Sequence, residues 1–572
     1  MDTKTRIASL AAECIRTLWP ETEGLPAAED IRGLLEVPPD PAMGDYAFPC
    51  FRLAKPLRTA PPKIAGALCG AWSHSDVASV RPVNAYMNFF LNRANFAAEI
   101  MTELTEKKET FGSSGIGAGK TVCLDYSSIN IAKRFHLGHL STTMLGHSLK
   151  RIYDFLGYTT VGINHLGDWG TQFGKMVCAY KLWGTPEEVE KGGVDELVRL
   201  YVKFHEEAEK DPALEDQGRA WFKKIEDGDA EALEIFNWFK EITLKDTERV
   251  YSLLGVTFDS YAGESFYNDK MGPVVDELRA KGLLTLSEGA TIVDLSEDNM
   301  PPCIILRSDG ATLYATRDLA AAIYRQNTYH FDKCLYVVAY QQDLHFRQVF
   351  RVLEKMGYPW AKDCVHVSFG MISYEGKALS TREGHVVYLD DLLEQAQKKA
   401  YGIIEEKSPE LPEKETVARQ VGIGAVVYSV LSNNRIKDID FRWDTALNFD
   451  GESGPYVQYT HARCCSLLRK AEALDLSAPD WSALTDDEAQ SLLRLISRFP
   501  DVIREAAEKY EPSMITRAVT DIAQAFNKYY YEHRILDGEA KDIAARVALA
   551  DAVRGVIRTG LYLIGIEAPE RM

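Results

Sequence analysis

From Thr121 onward the chain alternates strand and helix in a pattern that a parallel sheet with crossover helices accommodates. TVCLDY reads as a strand, HLGHLSTTMLGHSLKRIYDFLGY as a helix with helically spaced apolar residues, and TTVGIN as a second strand. Parallel neighbours cannot be joined by a tight turn, so this βαβ unit commits the chain to a layered α/β fold. A second unit follows in CLYVVAY, DLHFRQVFRVLEKMG and CVHVSFG. Ligands of such sheets bind beyond the carboxyl ends of the strands, which marks the residues after TVCLDY for chemistry.

A single hydrophobic core does not grow to 572 residues, so further domains are expected on either side. The first 110 or so residues read as mixed α/β: an amphipathic helix over Arg6 to Leu18, a Pro-rich loop, then the aromatic strand VNAYMNFFLN. The stretch FGSSGIGAGK looks like a linker. It is not a phosphate loop, because Ser114 stands where the first glycine belongs and the segment precedes a strand. Between the two βαβ units, Pro186 to Leu254 reads as a charged helical insertion. CIILRSDGATLYATRDLAAAIYRQ predicts a hairpin turning at Asp309-Gly310, followed by a helix. From about Glu413 to the end the pattern is almost wholly helical.

The net charge of −19 excludes a protein that coats nucleic acid without selectivity, since phosphate neutralisation needs a basic surface. Most of that excess falls in residues 111–410, which suits a cationic substrate. No apolar run reaches the roughly 18 residues of a membrane span, and the N-terminus lacks a signal-peptide core. The ten cysteines form no CxxC pair and no zinc-type cluster, so reduced thiols and a cytoplasmic location are expected.

The chemistry gathers after the first strand. His136 and His139 stand three apart at the start of a helix, and Gly138 between them leaves room for a ligand. A helix N-terminus offers free N–H groups and positive dipole to phosphate, and histidines there can donate to developing phosphoryl charge. After the strand of the second unit, EGKALSTREGHVV offers Lys377, Ser380, Thr381 and Arg382 between Gly376 and Gly384, a polar loop able to close over phosphates. Tyr314 and Asp318 lie one helical turn apart, so ring and carboxylate can meet one ligand. A guanidinium is a planar fork of donors that carboxylates and amide oxygens satisfy. Tyr456 and Tyr459 make either a core stripe or a stacking platform for unpaired bases.

HLGH resembles the HIGH signature of class I aminoacyl-tRNA synthetases, and ALST stands where their KMSK loop belongs. More closely, the chain resembles the arginyl-tRNA synthetases from end to end. DYSSINIAKRFHLGHL, GDWGTQFG, LYATRDLAAAIY, SGPYVQYTHAR and the terminal LGIEAPERM carry the likeness in the family's order. The resemblance implies that Asp125, Ser128, Asn130, Tyr314, Asp318 and Gln342 hold arginine. It implies that His136, Gly138 and His139 meet ATP and the transition state, and that GDWGTQFG forms a loop near the pocket. Tyr456, Tyr459, Tyr530 and Met572 would contact the anticodon loop, and Tyr86 and Asn88 the tRNA D-loop. Ile129 replaces the proline of the usual SPN. Ala378 and Leu379 replace the first lysine and the methionine of KMSK. The missing cation then falls to Lys133, Lys377 or Arg382, and Lys133 is favoured because some members carry a lysine just before HIGH.

These readings predict an N-terminal tRNA-recognition domain over 1–112 and a Rossmann-like catalytic domain over 113–412, with an insertion at about 180–300. A helical anticodon-binding domain follows over 413–572. The expected activity is arginine–tRNA ligation: L-arginine and Mg-ATP give arginyl-adenylate, and tRNA(Arg), bound beforehand, takes the arginyl group. A monomer without structural zinc is expected, with no membrane partner. The alternatives are a nucleotidylyltransferase built on the same HxGH helix and a non-catalytic RNA-binding paralogue. The extra terminal domains argue against the first, and intact His136, His139, Asp125 and Asp318 against the second.

Overall fold

The computed structural model describes residues 3–38, 40–75, 77–308, 310–379 and 386–572. The chain divides into two compact units, one of Met1–Phe111, Leu467–Ser497 and Gln524–Val553, the other of Gly112–Ser466, Arg498–Ala523 and Arg554–Met572.

In the first unit, β1 (Tyr46–Pro49), β2 (Val77–Val83) and β3 (Tyr86–Leu91) form an antiparallel sheet in the order β1-β3-β2. Val83 pairs with Tyr86, leaving a two-residue turn in which Asn84 takes a left-handed φ of 54°. Asparagine tolerates that region better than most residues, which suits it to the tight hairpin. The helix expected from Arg6 already runs at Thr3 and ends at Leu18. Its Ile7 and Ile15 are buried, as are Ile64 and Leu68 of the helix Pro61–Ala71 and Phe48 and Phe89 of the sheet. Asp45 accepts from Leu91 N at 2.8 Å and from Arg494 Nε at 2.6 Å, joining the sheet to a C-terminal segment of the same unit.

The second unit is built on the expected parallel sheet. β4 (Thr121–Asp125), β5 (Thr159–Ile163), β9 (Lys333–Tyr336) and β10 (Cys364–His366) lie in the order β10-β9-β4-β5, all parallel. The helix Gly138–Phe155 crosses from β4 to β5, and Asp343–Lys355 from β9 to β10. Both crossovers are those the sequence predicts. The insertion comprises the helices Pro186–Lys210, Ala213–Glu226 and Ala230–Leu254. It is followed by the antiparallel strands β6 (Leu284–Ser287), β7 (Ala290–Val293) and β8 (Cys303–Leu306). Past β8 the chain turns back, with Arg307 N donating to Ala311 O at 2.9 Å, and Asp309 of the predicted turn lies outside the described residues.

A third small sheet departs from the sequence reading. β11 (Ile372–Tyr374) pairs antiparallel with β12 (Lys377–Ala378) and parallel with β13 (Ile439–Phe441), inside a stretch read as helical. Three residues carry no readable period, and their partners lie 67 positions away, so only tertiary pairing makes IDF a strand. All ten cysteines are free thiols, buried except for Cys69. Among the described residues no helix is long and apolar enough to cross a membrane.

Candidate active site

The carboxyl end of β4 and the turn after it form the centre of the site. Between Asp125 and the helix Gly138–Phe155, Ser127, Ser128 and Ala132 take left-handed φ values of 71°, 47° and 59°. Strain of this kind, about 1–3 kcal/mol per residue, persists where the surroundings enforce it, commonly at functional sites. His136 precedes the helix and His139 lies in its first turn, and their rings stack with centroids 3.7 Å apart. Backbone N–H groups donate to both Nδ1 atoms, from Gly138 to His136 at 3.1 Å and from His136 to His139 at 3.3 Å. An Nδ1 that accepts leaves the proton on Nε2, so each ring has an Nε2–H to offer. Burial lowers the pKa of both rings, and Lys133 lowers it further. The pair is neutral. A Cβ on Gly138 would stand 2.9 Å from His136 Cε1, so glycine is required for this ring to lie over the helix start.

The loop of the second unit returns beside that turn. Leu137 N donates to Val387 O at 2.8 Å, Leu389 N to Phe135 O at 2.9 Å, and the Arg134 guanidinium meets the Asp390 carboxylate at 3.0 Å. A cavity of about 530 Å³ opens here, lined among others by His136, Gly138, Ala378, Leu379, Val387 and Asp438. Ser380, Thr381 and Arg382 lie outside the described residues. Lys377 and Lys133 are both exposed, and Lys133 is the one electrostatically coupled to both histidines.

The residues assigned to arginine divide into two groups. Asp125 and Ser128, read as substrate ligands, are bonded to each other: Ser128 Oγ donates to Asp125 Oδ1 at 2.9 Å. Arg325 Nη2 takes Oδ2 at 2.7 Å. Asp125 is therefore a neutralised carboxylate in the wall of the site, a pairing that the sequence did not reveal. Asn130 is exposed, and its side chain lies over Gly167, where a Cβ would fall 2.0 Å from Asn130 Oδ1. GDWGTQFG is thus joined to the β4 turn, with Gly167 N donating to Ile129 O at 2.9 Å.

The second group gathers around the helix Tyr314–Tyr329. Tyr314 and Asp318 share a face of the helix Tyr314–Tyr329, with Tyr314 67% exposed, and Gln342 is exposed on the short turn after β9. Asp318 accepts from His345 Nε2 at 2.6 Å. Glu264, which no motif marked, belongs with this group. Burial pushes its carboxyl up to about 7, with Asp318 and Asp168 adding to the rise and Arg317, at 3.5 Å, opposing it. Asp168 of GDWG is buried and takes Lys240 Nζ at 2.5 Å, Ser265 Oγ at 2.7 Å and Ser265 N at 2.8 Å, which fixes the segment carrying Glu264.

The residues read as tRNA contacts differ in exposure. In the first unit Tyr86 is half-buried with Phe51 edge-on at 5.7 Å, and Tyr530 is exposed. Asn88 is only 3% exposed and donates Nδ2 to Met43 O at 2.7 Å, so its amide sits inside the fold rather than on the surface. In the second unit Val457, Gln458 and His461 bury one side of the helix Gly454–Ala471, while Tyr459 is 40% exposed under the Arg463 guanidinium. Tyr456 is half-buried, and Met572 packs against the cluster of Ala400, Ile404 and Val417.

Three family models cover most of the chain: "Arginyl tRNA synthetase N terminal domain" over residues 5–91, "tRNA synthetases class I (R), catalytic domain" over 100–443, and "DALR anticodon binding domain" over 457–572. The chain is 53% identical over 556 residues to an arginine–tRNA ligase of Alkaliphilus metalliredigens, covering 97% of this chain and 98% of that one. It is 51% identical over 573 residues to that of Clostridium beijerinckii, covering 100% of both. Among solved structures, the arginyl-tRNA synthetase of Thermus thermophilus matches all of both chains at TM-score 0.82 and 25% identity. That of Plasmodium falciparum has the same fold at TM-score 0.82 and 21% identity, again over the whole of both chains.

Proposed function

This chain belongs to the class I arginyl-tRNA synthetase family, and on that premise we propose how its residues share the work of arginine–tRNA ligation. The reaction uses ATP, here as Mg-ATP. A carboxylate oxygen of L-arginine attacks the α-phosphorus and pyrophosphate leaves. A terminal ribose hydroxyl of tRNA(Arg) then attacks the carbonyl carbon of the adenylate and AMP leaves. No protein nucleophile takes part, so the rate comes from holding the reactants and offsetting charge.

His136 and His139 donate Nε2–H to the phosphates as charge builds there, and Gly138 leaves the room for them. Lys133 supplies the cation that Ala378 lacks, with Lys377, Ser380, Thr381 and Arg382 completing the loop over ATP. Asp318 and Glu264 take the guanidinium, Tyr314 covers it, and Gln342 and Asn130 contribute amides. Asp125 and Ser128 shape the wall between the two halves. Tyr86, Tyr456, Tyr459 and Tyr530 meet tRNA, with Met572 and Asn88 supporting those surfaces. The protein acts as a cytoplasmic monomer without structural zinc.

The carrying observation is a stacked pair of neutral imidazoles at the end of β4 in the same compact unit as two carboxylates, Asp318 bonded to the His345 imidazole and Glu264 paired with the one Arg317 guanidinium. A guanidinium substrate satisfies that imbalance. Charging purified tRNA with each amino acid in turn tests the reading. Arginine alone should be esterified; no charging, or charging with another amino acid, overturns it.

A further inference from the structure

The two aspartates that the sequence assigns to arginine are held by different partners. Asp125 is closed by a guanidinium, and Arg325 cancels its charge in the interior. Asp318 is held by an imidazole, with His345 Nε2 at 2.6 Å from Oδ2. His345 is the third residue of the helix Asp343–Lys355, so one turn of one crossover reaches the side chain that faces it from the neighbouring helix. Among the described residues nothing else bonds the Asp318 carboxylate, and Arg317 beside it is directed to Glu264 and Asn268.

We propose that His345 is a positioning residue for substrate arginine: its Nε2–H fixes one oxygen of Asp318 so that the other is presented to the guanidinium. The proposal rests on the reading of Asp318 as an arginine ligand. A carboxylate on a helix surface turns freely about its last torsion, and two-point contact with a planar fork needs that torsion fixed. A lysine or arginine would fix it too, but would offset the charge the substrate must meet, as Arg325 does at Asp125. An imidazole fixes the geometry without the permanent charge of a lysine or arginine. The same bond as a mere helix–helix fastening would matter to stability and not to arginine.

Steady-state charging at saturating tRNA separates the cases. His345→Ala should raise the KM for arginine about tenfold, the loss that goes with one charge-assisted hydrogen bond. The turnover number, the KM for ATP and the melting temperature should stay near wild type. His345→Gln, which keeps an N–H donor, should recover most of the loss. In an Asp318→Asn background, His345→Ala should add nothing further. Wild-type arginine KM in His345→Ala, or a full additional loss on top of Asp318→Asn, overturns the proposal. So does a lowered melting temperature accompanied by equal losses for ATP and arginine. An unchanged arginine KM in Asp318→Asn overturns instead the reading of Asp318 on which the proposal stands.

Discussion

Arg325 Nη2 lies 2.7 Å from Asp125 Oδ2, and the arginine side chain is 1% exposed. Its ring neighbour is Tyr336, 5.2 Å from the guanidinium carbon. A buried pair contributes little over a well-packed apolar pair, but half of one is costly. Arg325→Met should therefore lower stability by ~3–5 kcal/mol, because it leaves Asp125 buried without its counter-ion. Asp125→Asn combined with Arg325→Met should regain most of that loss. Thermal melting of the single and double variants checks it; equal losses in the two would contradict the pairing.

The raised pKa of Glu264 gives the arginine KM a definite pH dependence. With its carboxyl at about 7, Glu264 is ionised above neutrality and turns neutral as pH falls through 7. A neutral carboxyl attracts a guanidinium weakly, so the arginine KM should climb from pH 8 to pH 6. Glu264→Gln should show a high KM throughout and lose that slope. Kinetics at constant ionic strength measure both, and a Glu264→Gln profile parallel to wild type would remove Glu264 from the pocket.

Lys133 is exposed and electrostatically coupled to both site histidines, while Lys377 lies on the short hairpin of β11 and β12. Losing one donor to developing phosphate charge costs ~10²–10³ in rate. Lys133→Ala should lower tRNA-dependent ATP–pyrophosphate exchange by that order, and Lys377→Ala by far less. Restoring a lysine with Ala378→Lys should rescue part of the Lys133→Ala defect. Wild-type exchange in Lys133→Ala would shift the role to Lys377 or Arg382.

Tyr459 stands out of the buried face of its helix. Tyr459→Ala should weaken tRNA binding by ~1–3 kcal/mol, the worth of one stacked base, with melting unchanged. Tyr459→Phe should bind like wild type, since the ring and not the hydroxyl makes the stack. A lowered melting temperature with normal tRNA binding would mean the ring is structural.

The sequence by itself determined the parallel sheet, because strands TVCLDY and TTVGIN are tied through an intervening helix and the period of that helix is local. It also determined where the histidine pair sits, since a helix start after a strand is a local event with a local signature. Tertiary structure decided which charges are free. Asp125 and Asp318 look alike in a sequence, yet one meets Arg325 from 200 positions away and the other His345 from 27. Glu264 lies in a segment without a motif and acquires its character from burial and from neighbours at Asp168 and Asp318. Asn88, polar and on a strand, reads as surface until the fold turns its amide onto Met43. Periodicity reports what a residue's own helix or strand does with it. Charge state and exposure depend on what other segments bring within a few ångströms, and that is set only when the chain closes on itself.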